Sequence, residues 1–355
     1  MFASLGFDSL TAPQAAVYLG LILGLAFGGL AEVTRFCFRR AVAGPLAERR
    51  PAAGVWLAAL AAALIGTQAA VFSGWISFDE HRFMAAEMPV AAIVAGGLLF
   101  GTGMVLTRGC ISRLTVLMGS GNLRALTVLL VFALAAHATI RGVLTPLRTG
   151  LGSFTVPLDT VSLAGLPGGP LLYTALLAGA ALIYAWRSGA PRWALALALL
   201  LGLLVPAGWV GTGFVLYDDF DPIAMESLSF TSPSADTLFW TVASTSISAT
   251  FGVGLVGGTV AGALVLSLIS GRFRWQSFES PAQTGRYIAG GALMGVGGVL
   301  AGGCTLGAGL SGVPTLSFAA ILAILSIAAG GVLTDRALGR RPRRDEGVGA
   351  ALPAE

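Results

Sequence analysis

Residues 96–110 read GGLLFGTGMVLTRGC, and the run returns at 290–304 as GGALMGVGGVLAGGC. Nine of the fifteen positions are identical, among them five glycines and the closing Gly-Cys pair. Apolar bias alone rarely aligns glycines and a cysteine in this way, so the chain contains an internal repeat, the feature to seek before any other. The same 194-residue shift extends without a gap: Glu32 maps to Glu226, Phe36 to Phe230, and Cys37 to Thr231. The repeats then run roughly over 14–140 and 208–334.

Around these runs the chain is apolar for most of its length. Of 355 residues, 55% are hydrophobic and only 11% charged, against about a quarter charged in a soluble domain. Nine apolar spans are legible, near 14–31, 52–73, 90–107, 124–140, 169–186, 193–213, 243–270, 284–301 and 314–334. Each approaches the ~20 residues that a bilayer core requires. The expectation is an all-α protein in the lipid bilayer: one integral-membrane domain over 1–344 and a short tail over 345–355.

Arginine placement orients the spans. Arg39, Arg40, Arg49 and Arg50 follow the first span. Arg187 and Arg192 flank the fifth-to-sixth link, and Arg272, Arg274 and Arg286 the seventh-to-eighth. Arg336, Arg340, Arg341, Arg343 and Arg344 close the chain. Cationic loops stay in the cytoplasm, which places the N-terminus outside and the C-terminus inside. Arg141 and Arg148 fall outside in this scheme and have no account from sequence. Each repeat holds four spans, with 169–186 between them. The odd step from one repeat start to the next reverses direction, giving the inverted architecture by which transporters place a substrate path near the midplane.

Several function classes drop out. The three cysteines, Cys37, Cys110 and Cys304, form no CxxC or Cys/His metal spacing, so no cofactor is expected. The glycine-rich runs lack a strand–helix GxGxxG context and a Walker lysine, which argues against nucleotide binding. The net charge of +4 sits in short clusters between apolar runs rather than on a basic face, so no nucleic-acid partner is expected. No basic n-region precedes the first span, so a cleaved leader is not expected.

Three polar islands interrupt the apolar runs: Glu32 to Arg40, Thr107 to Arg113, and Gly302 to Gly312. In the second and third islands, glycines beside the cysteines should break the helices and form re-entrant turns from opposite faces. Broken helices free backbone N–H groups that bind anions, and such backbone is tolerated at membrane depth only when buried or lining a cavity. A buried free cysteine is ordinarily a small apolar residue. Here every cysteine lies in a helix-breaking island, and two occupy equivalent repeat positions. Thiols give weak donors and polarizable contacts that suit a sulfur-containing anion. The candidate path comprises Cys37, Cys110 and Cys304 with Arg108, Gly109, Ser112, Gly303, Thr305, Thr231 and Glu32. Arg108 either attracts the anion or pairs with Glu32. Arg35 could also pair with Glu32, and the arginines after Cys37 should favour its thiolate. Glu32 and Glu226 read as caps of broken helices. His137 reads equally as a helix–helix hydrogen bonder or a proton carrier. Residues 229–233, Ser-Phe-Thr-Ser-Pro, offer hydroxyls near the outer mouth.

These islands resemble the YeeE/YedE family of sulfur-transport membrane proteins. The resemblance rests on Arg-Gly-Cys at 108–110, the glycine-rich run at 302–312 and Phe-Cys-Phe at 36–38, and spans about 14–334. It implies an hourglass-like bundle with pseudo-twofold halves in the bacterial inner membrane. It further implies thiosulfate as substrate, passed along Cys37, Cys110 and Cys304 by S–H to sulfur hydrogen bonds without cleavage. A cytoplasmic TusA-like sulfurtransferase is the implied partner. The thiols should be met in the order Cys304, Cys110, Cys37. The competing readings are an integral-membrane sulfurtransferase that forms a persulfide on Cys110, and a purely structural subunit.

Overall fold

The first helix opens on a reciprocal cap. The Gln14 amide donates to the Thr11 hydroxyl at 3.5 Å, and the Thr11 amide donates to the Gln14 side chain at 3.3 Å. From there the computed structural model describes residues 10–218 and 221–339. The expectations for Arg340, Arg341, Arg343 and Arg344 and for the tail 345–355 lie outside the described residues.

In chain order the helices are α1 (Ala12–Thr34), α2 (Phe38–Ala43), α3 (Leu46–Phe72), α4 (Val90–Leu106), α5 (Ile111–Gly119), α6 (Leu123–Arg141) and α7 (Thr145–Gly152). There follow α8 (Gly169–Arg187), α9 (Arg192–Val210), α10 (Thr231–Val242), α11 (Phe251–Ile269), α12 (Pro281–Leu300) and α13 (Phe318–Gly339). Among the described residues, nine segments are long and apolar enough to cross a membrane, and each overlaps one read from sequence. The chain is a multi-pass, nearly all-helical membrane protein. One short antiparallel pair, Glu87–Met88 against Val156–Pro157, joins two interhelical loops.

The seventh span is shorter than expected. It begins at Phe251, not 243, and residues 231–242 form the separate helix α10. Between them lies a stretch rich in serine and threonine, Ala243 to Thr250, whose hydroxyls compete for backbone groups and disfavour a continuous helix.

Three helices break at the cysteine islands. After α1 the chain turns left-handed at Arg35, with φ 51°, and resumes as α2. After α4 it turns at Arg108, φ 58°, and resumes as α5. After α12 it turns at Gly302, φ 74°, and resumes as a wide π-type helix over Thr305–Gly312. Positions 108 and 302 are repeat mates, so the same backbone turn is made once by arginine and once by glycine. Within the α4 break the Thr107 hydroxyl lies 3.0 Å from the Gly103 carbonyl and 2.9 Å from that of Gly109, tying both sides together.

The broken helices cross at the centre. On α4, Gly96 lies against Gly297 and Leu300 of α12, while Gly103 lies against Gly290. The two helices therefore run in opposite directions at the crossing. A 194-residue shift converts the pair Gly96–Gly297 into Gly290–Gly103, so the contact exchanges with itself. A methyl at Gly103 would collide with the Gly290 carbonyl, which explains the glycine there. Around this cross, α4 packs on α13, α12 on α6, α1 on α11 and α3 on α9.

Candidate functional site

Each cysteine follows a helix break and occupies the N-cap position of the helix that comes next. Cys37 precedes α2, Cys110 precedes α5, and Cys304 precedes the π-type helix. At such a position a side chain can accept the free amide three residues on. Cys304 does so, taking the Gly307 N–H at 3.4 Å. The Arg40 and Arg113 amides lie beside the Cys37 and Cys110 sulfurs, though without a well-formed cap bond. A sulfur that accepts from backbone keeps its S–H to donate elsewhere. All three thiols are unbridged and buried, at 5%, 1% and 0% exposure.

Cys110 is the central thiol. The Cys37 thiol faces it from one side and the Thr305 hydroxyl from another. The Ser112 hydroxyl lies 3.3 Å from its sulfur. Cys304 sits beside the amides of Phe230 and Leu306, with Thr231 next in sequence. Cys304 thus meets the Phe230-Thr231 segment as Cys110 meets Phe36-Cys37, one repeat apart. Gly109 and Gly303 precede the two cysteines inside the breaks. A side chain at Gly303 would press on the Ala308 amide at 2.7 Å.

Two buried hydroxyls along this line have no hydrogen-bond partner among the described residues: Thr231, 4% exposed, and Thr305, 0% exposed. Leaving such a group unpaired costs about 1–3 kcal/mol, and native proteins retain few of them. Thr305 lies beside Cys110 without making a sound bond to it. Both hydroxyls are therefore available to a passing ligand.

A vestibule of ≈ 570 Å³ reaches Gly307, whose amide donates to Cys304. Its lining includes His81, Arg82, Trp209, Glu226, Ser229 and Gly307. Arg82 rests on the Phe83 ring at 5.1 Å, makes no ion pair among the described residues, and acts electrostatically on both Glu226 and Cys304. His81 accepts the Phe83 amide at 3.3 Å through Nδ1 and stacks edgewise on Trp209 at 5.2 Å. Burial and the neighbouring Arg82 lower its pKa to about 4, so it is neutral in ordinary buffers. Burial raises the Glu226 carboxyl above its usual range, and Arg82 opposes that rise. The Trp209 indole N–H is buried and unpaired.

At the opposite end of the line the picture differs from the sequence reading. Glu32 pairs with Arg113, at 3.1 Å, and with neither Arg108 nor Arg35. Both of those arginines sit past helix ends in left-handed turns, which carries their side chains out to exposed positions. Glu32 lies within the last turn of α1 and caps nothing, and the Glu226 side chain lies in the vestibule. Arg40 is engaged by Glu48 at 2.9 Å and does not serve the Cys37 thiol. His137 stacks on Phe239 of α10 at 3.8 Å between ring centres. Arg141 acts electrostatically on Asp236 of α10, which supplies the account that sequence lacked.

Sequence reading missed Arg82, His81, Trp209 and the role of Arg113. The first two stand in a short polar run between spans, His-Arg-Phe at 81–83, and nothing local distinguishes that run from an ordinary loop.

A family model described as sulphur transport matches residues 33–333. The chain belongs to the sulphur transport family. Two relatives share its length. Thiosulfate transporter TsuA of Spirochaeta thermophila is 27% identical over 345 residues, covering 86% of this chain and 94% of the relative. Thiosulfate transporter TsuA of Escherichia coli is 26% identical over 321 residues, covering 82% and 86%. All three cysteines of this family member fall inside the matched region.

Proposed function

We propose that this chain imports thiosulfate through the membrane along the line Cys304, Cys110, Cys37, with no covalent step. The observation that carries the proposal is the succession of three buried thiols and two unpaired hydroxyls below an arginine-bearing vestibule. Membership in the family and the names of both relatives support the substrate.

The chemistry follows from the groups present. Thiosulfate has an oxygen-rich end and a soft terminal sulfur. Arg82 draws the dianion into the vestibule by its unpaired charge. Cys304 donates S–H to the terminal sulfur, while the Thr231 and Thr305 hydroxyls take its oxygens in place of water. Cys110 lies next along the line and Cys37 beyond it, so each hydrogen bond is exchanged for a similar one. Weak thiol donors suit this task, because conduction needs sites that release what they bind. Arg108, exposed past the α4 break, favours the anion electrostatically at the far mouth.

Two inverted repeats explain the central crossing of α4 and α12, whose contact exchanges with itself under the 194-residue shift. In this arrangement the broken helices approach the midplane from opposite faces as re-entrant elements. The vestibule then faces the outside of the bacterial inner membrane, and the arginine-rich ends face the cytoplasm, where a TusA-like sulfurtransferase would receive the anion.

Uptake of thiosulfate labelled on both sulfurs tests the reaction class. Transport delivers both labels together in equal amounts. Separation of the labels, or one label retained on Cys110, would instead establish a persulfide-forming sulfurtransferase.

A further inference from the structure

The two ends of the thiol line are built on equivalent sequence positions but carry different side chains. On the vestibule side stand Glu226 and Gly307. Their repeat mates, 194 residues earlier, are Glu32 and Arg113. At the position where the vestibule side has a glycine packed against Ser229, the other side carries an arginine beside Cys110. Its guanidinium donates to the Glu32 carboxylate at 3.1 Å and to the Ala31 carbonyl at 3.3 Å. The two side chains are only 15% and 8% exposed. The pair bridges the last turn of α1, which precedes Cys37, to the first turn of α5, which follows Cys110.

We propose that Arg113 is the inner binding residue for the transported oxyanion and that Glu32 masks it, closing the inner mouth until an anion takes the carboxylate's place. This deepens the transport reading above and rests on it. The structural details fit a replaceable partner. Arg113 is the third residue of α5, so its amide already lies beside the Cys110 sulfur. Its charge also acts on the Cys37 thiol. An anion leaving Cys110 for Cys37 therefore passes within reach of a guanidinium, whose fork suits a sulfonate as well as a carboxylate. The displaced Glu32 has a cation three residues on, just past the end of α1. Arg35 is exposed and makes no side-chain hydrogen bond or ion pair among the described residues. Exchange of one anionic partner for another keeps Arg113 paired at every stage, which avoids the large cost of a lone buried charge. The pair thus fills with buried side chains the positions whose repeat mates line the vestibule.

The test uses the purified full-length chain in detergent, alkylated with a maleimide and mapped by mass spectrometry. Glu32→Gln removes the mask while keeping its shape. Cys37 should then react about tenfold faster than in the wild type, as a local opening becomes populated. Cys304, on the vestibule side, should react at its wild-type rate and so reports that the fold is intact. Glu32→Asp, which retains the charge, should react at an intermediate rate and serves if the glutamine variant does not fold. In reconstituted vesicles Arg113→Met should lose thiosulfate uptake per folded molecule, and Arg113→Lys should recover part of it. Wild-type Cys37 reactivity in both Glu32 variants, or wild-type uptake per molecule by Arg113→Met, would overturn the proposal. If the wild type itself takes up no thiosulfate, it is the transport reading that fails. The Cys37 reactivity then still decides whether Glu32 and Arg113 form a latch.

Discussion

A buried hydroxyl without a partner is a cost the fold bears for a reason. Thr305 is fully buried and unpaired beside Cys110. Thr305→Val keeps its shape and removes the polar atom, so stability should hold or rise by about 1 kcal/mol while uptake falls roughly tenfold. Unfolding and uptake measured on the same preparation separate these effects, and unchanged uptake would make the hydroxyl a packing group only. Glu226 provides a second residue-scale expectation. Its carboxyl has a raised pKa, so it takes a proton earlier than an ordinary glutamate as pH falls. Protonation removes the negative charge opposite Arg82 and leaves the vestibule more attractive to a dianion. The apparent KM should therefore fall as pH drops through that raised value and climb again above it. His81 does not contribute until about pH 4. Glu80 lines the same space and Asp236 acts on Glu226, so the assignment needs the variant. Glu226→Gln should hold the low KM and flatten the profile, and an unaltered profile would assign the titration elsewhere.

At the scale of elements, the breaks set where the thiols stand. Gly302 turns left-handed with open space where a side chain would go. Gly302→Ala should then lose only the conformational cost of that turn, about 1 kcal/mol, and keep transport. Gly303→Ala must push the Ala308 amide aside and displace Cys304 with it, so both stability and uptake should drop further. Denaturant unfolding of the two variants, with uptake alongside, checks the contrast. Much of this scale was legible in the sequence. The repeated Gly-Cys islands marked the breaks, and the apolar runs marked the spans. Two features were not. The start of α11 was hidden because Ala243 to Thr250 is polar enough to break a helix yet mild enough to read as part of a span. The partner of Glu32 was hidden because Arg35 and Arg108 are near in sequence or island, while only the left-handed turns send them outward and leave Arg113 facing inward.

For the whole molecule, pairing across the repeats matters more than any one island. Cys37 and Cys110 come from two elements of one repeat, whereas Cys304 and Thr305 come from the other. Only the central crossing of α4 and α12 brings them into line. Arg82 and Trp209 were invisible as a site because their loop and helix meet only in the folded chain. The proposed orientation adds one expectation: a reactive tag placed after residue 345 should be modified from the cytoplasmic side only. Modification from the outside would reverse the direction of the path. The central claim is that the anion travels on thiols, and Cys110 is the thiol with a neighbour on both sides. Thiosulfate uptake by Cys110→Ala in reconstituted vesicles tests it most directly. The account predicts that a folded, correctly inserted variant takes up essentially none. Uptake at the wild-type rate would contradict it.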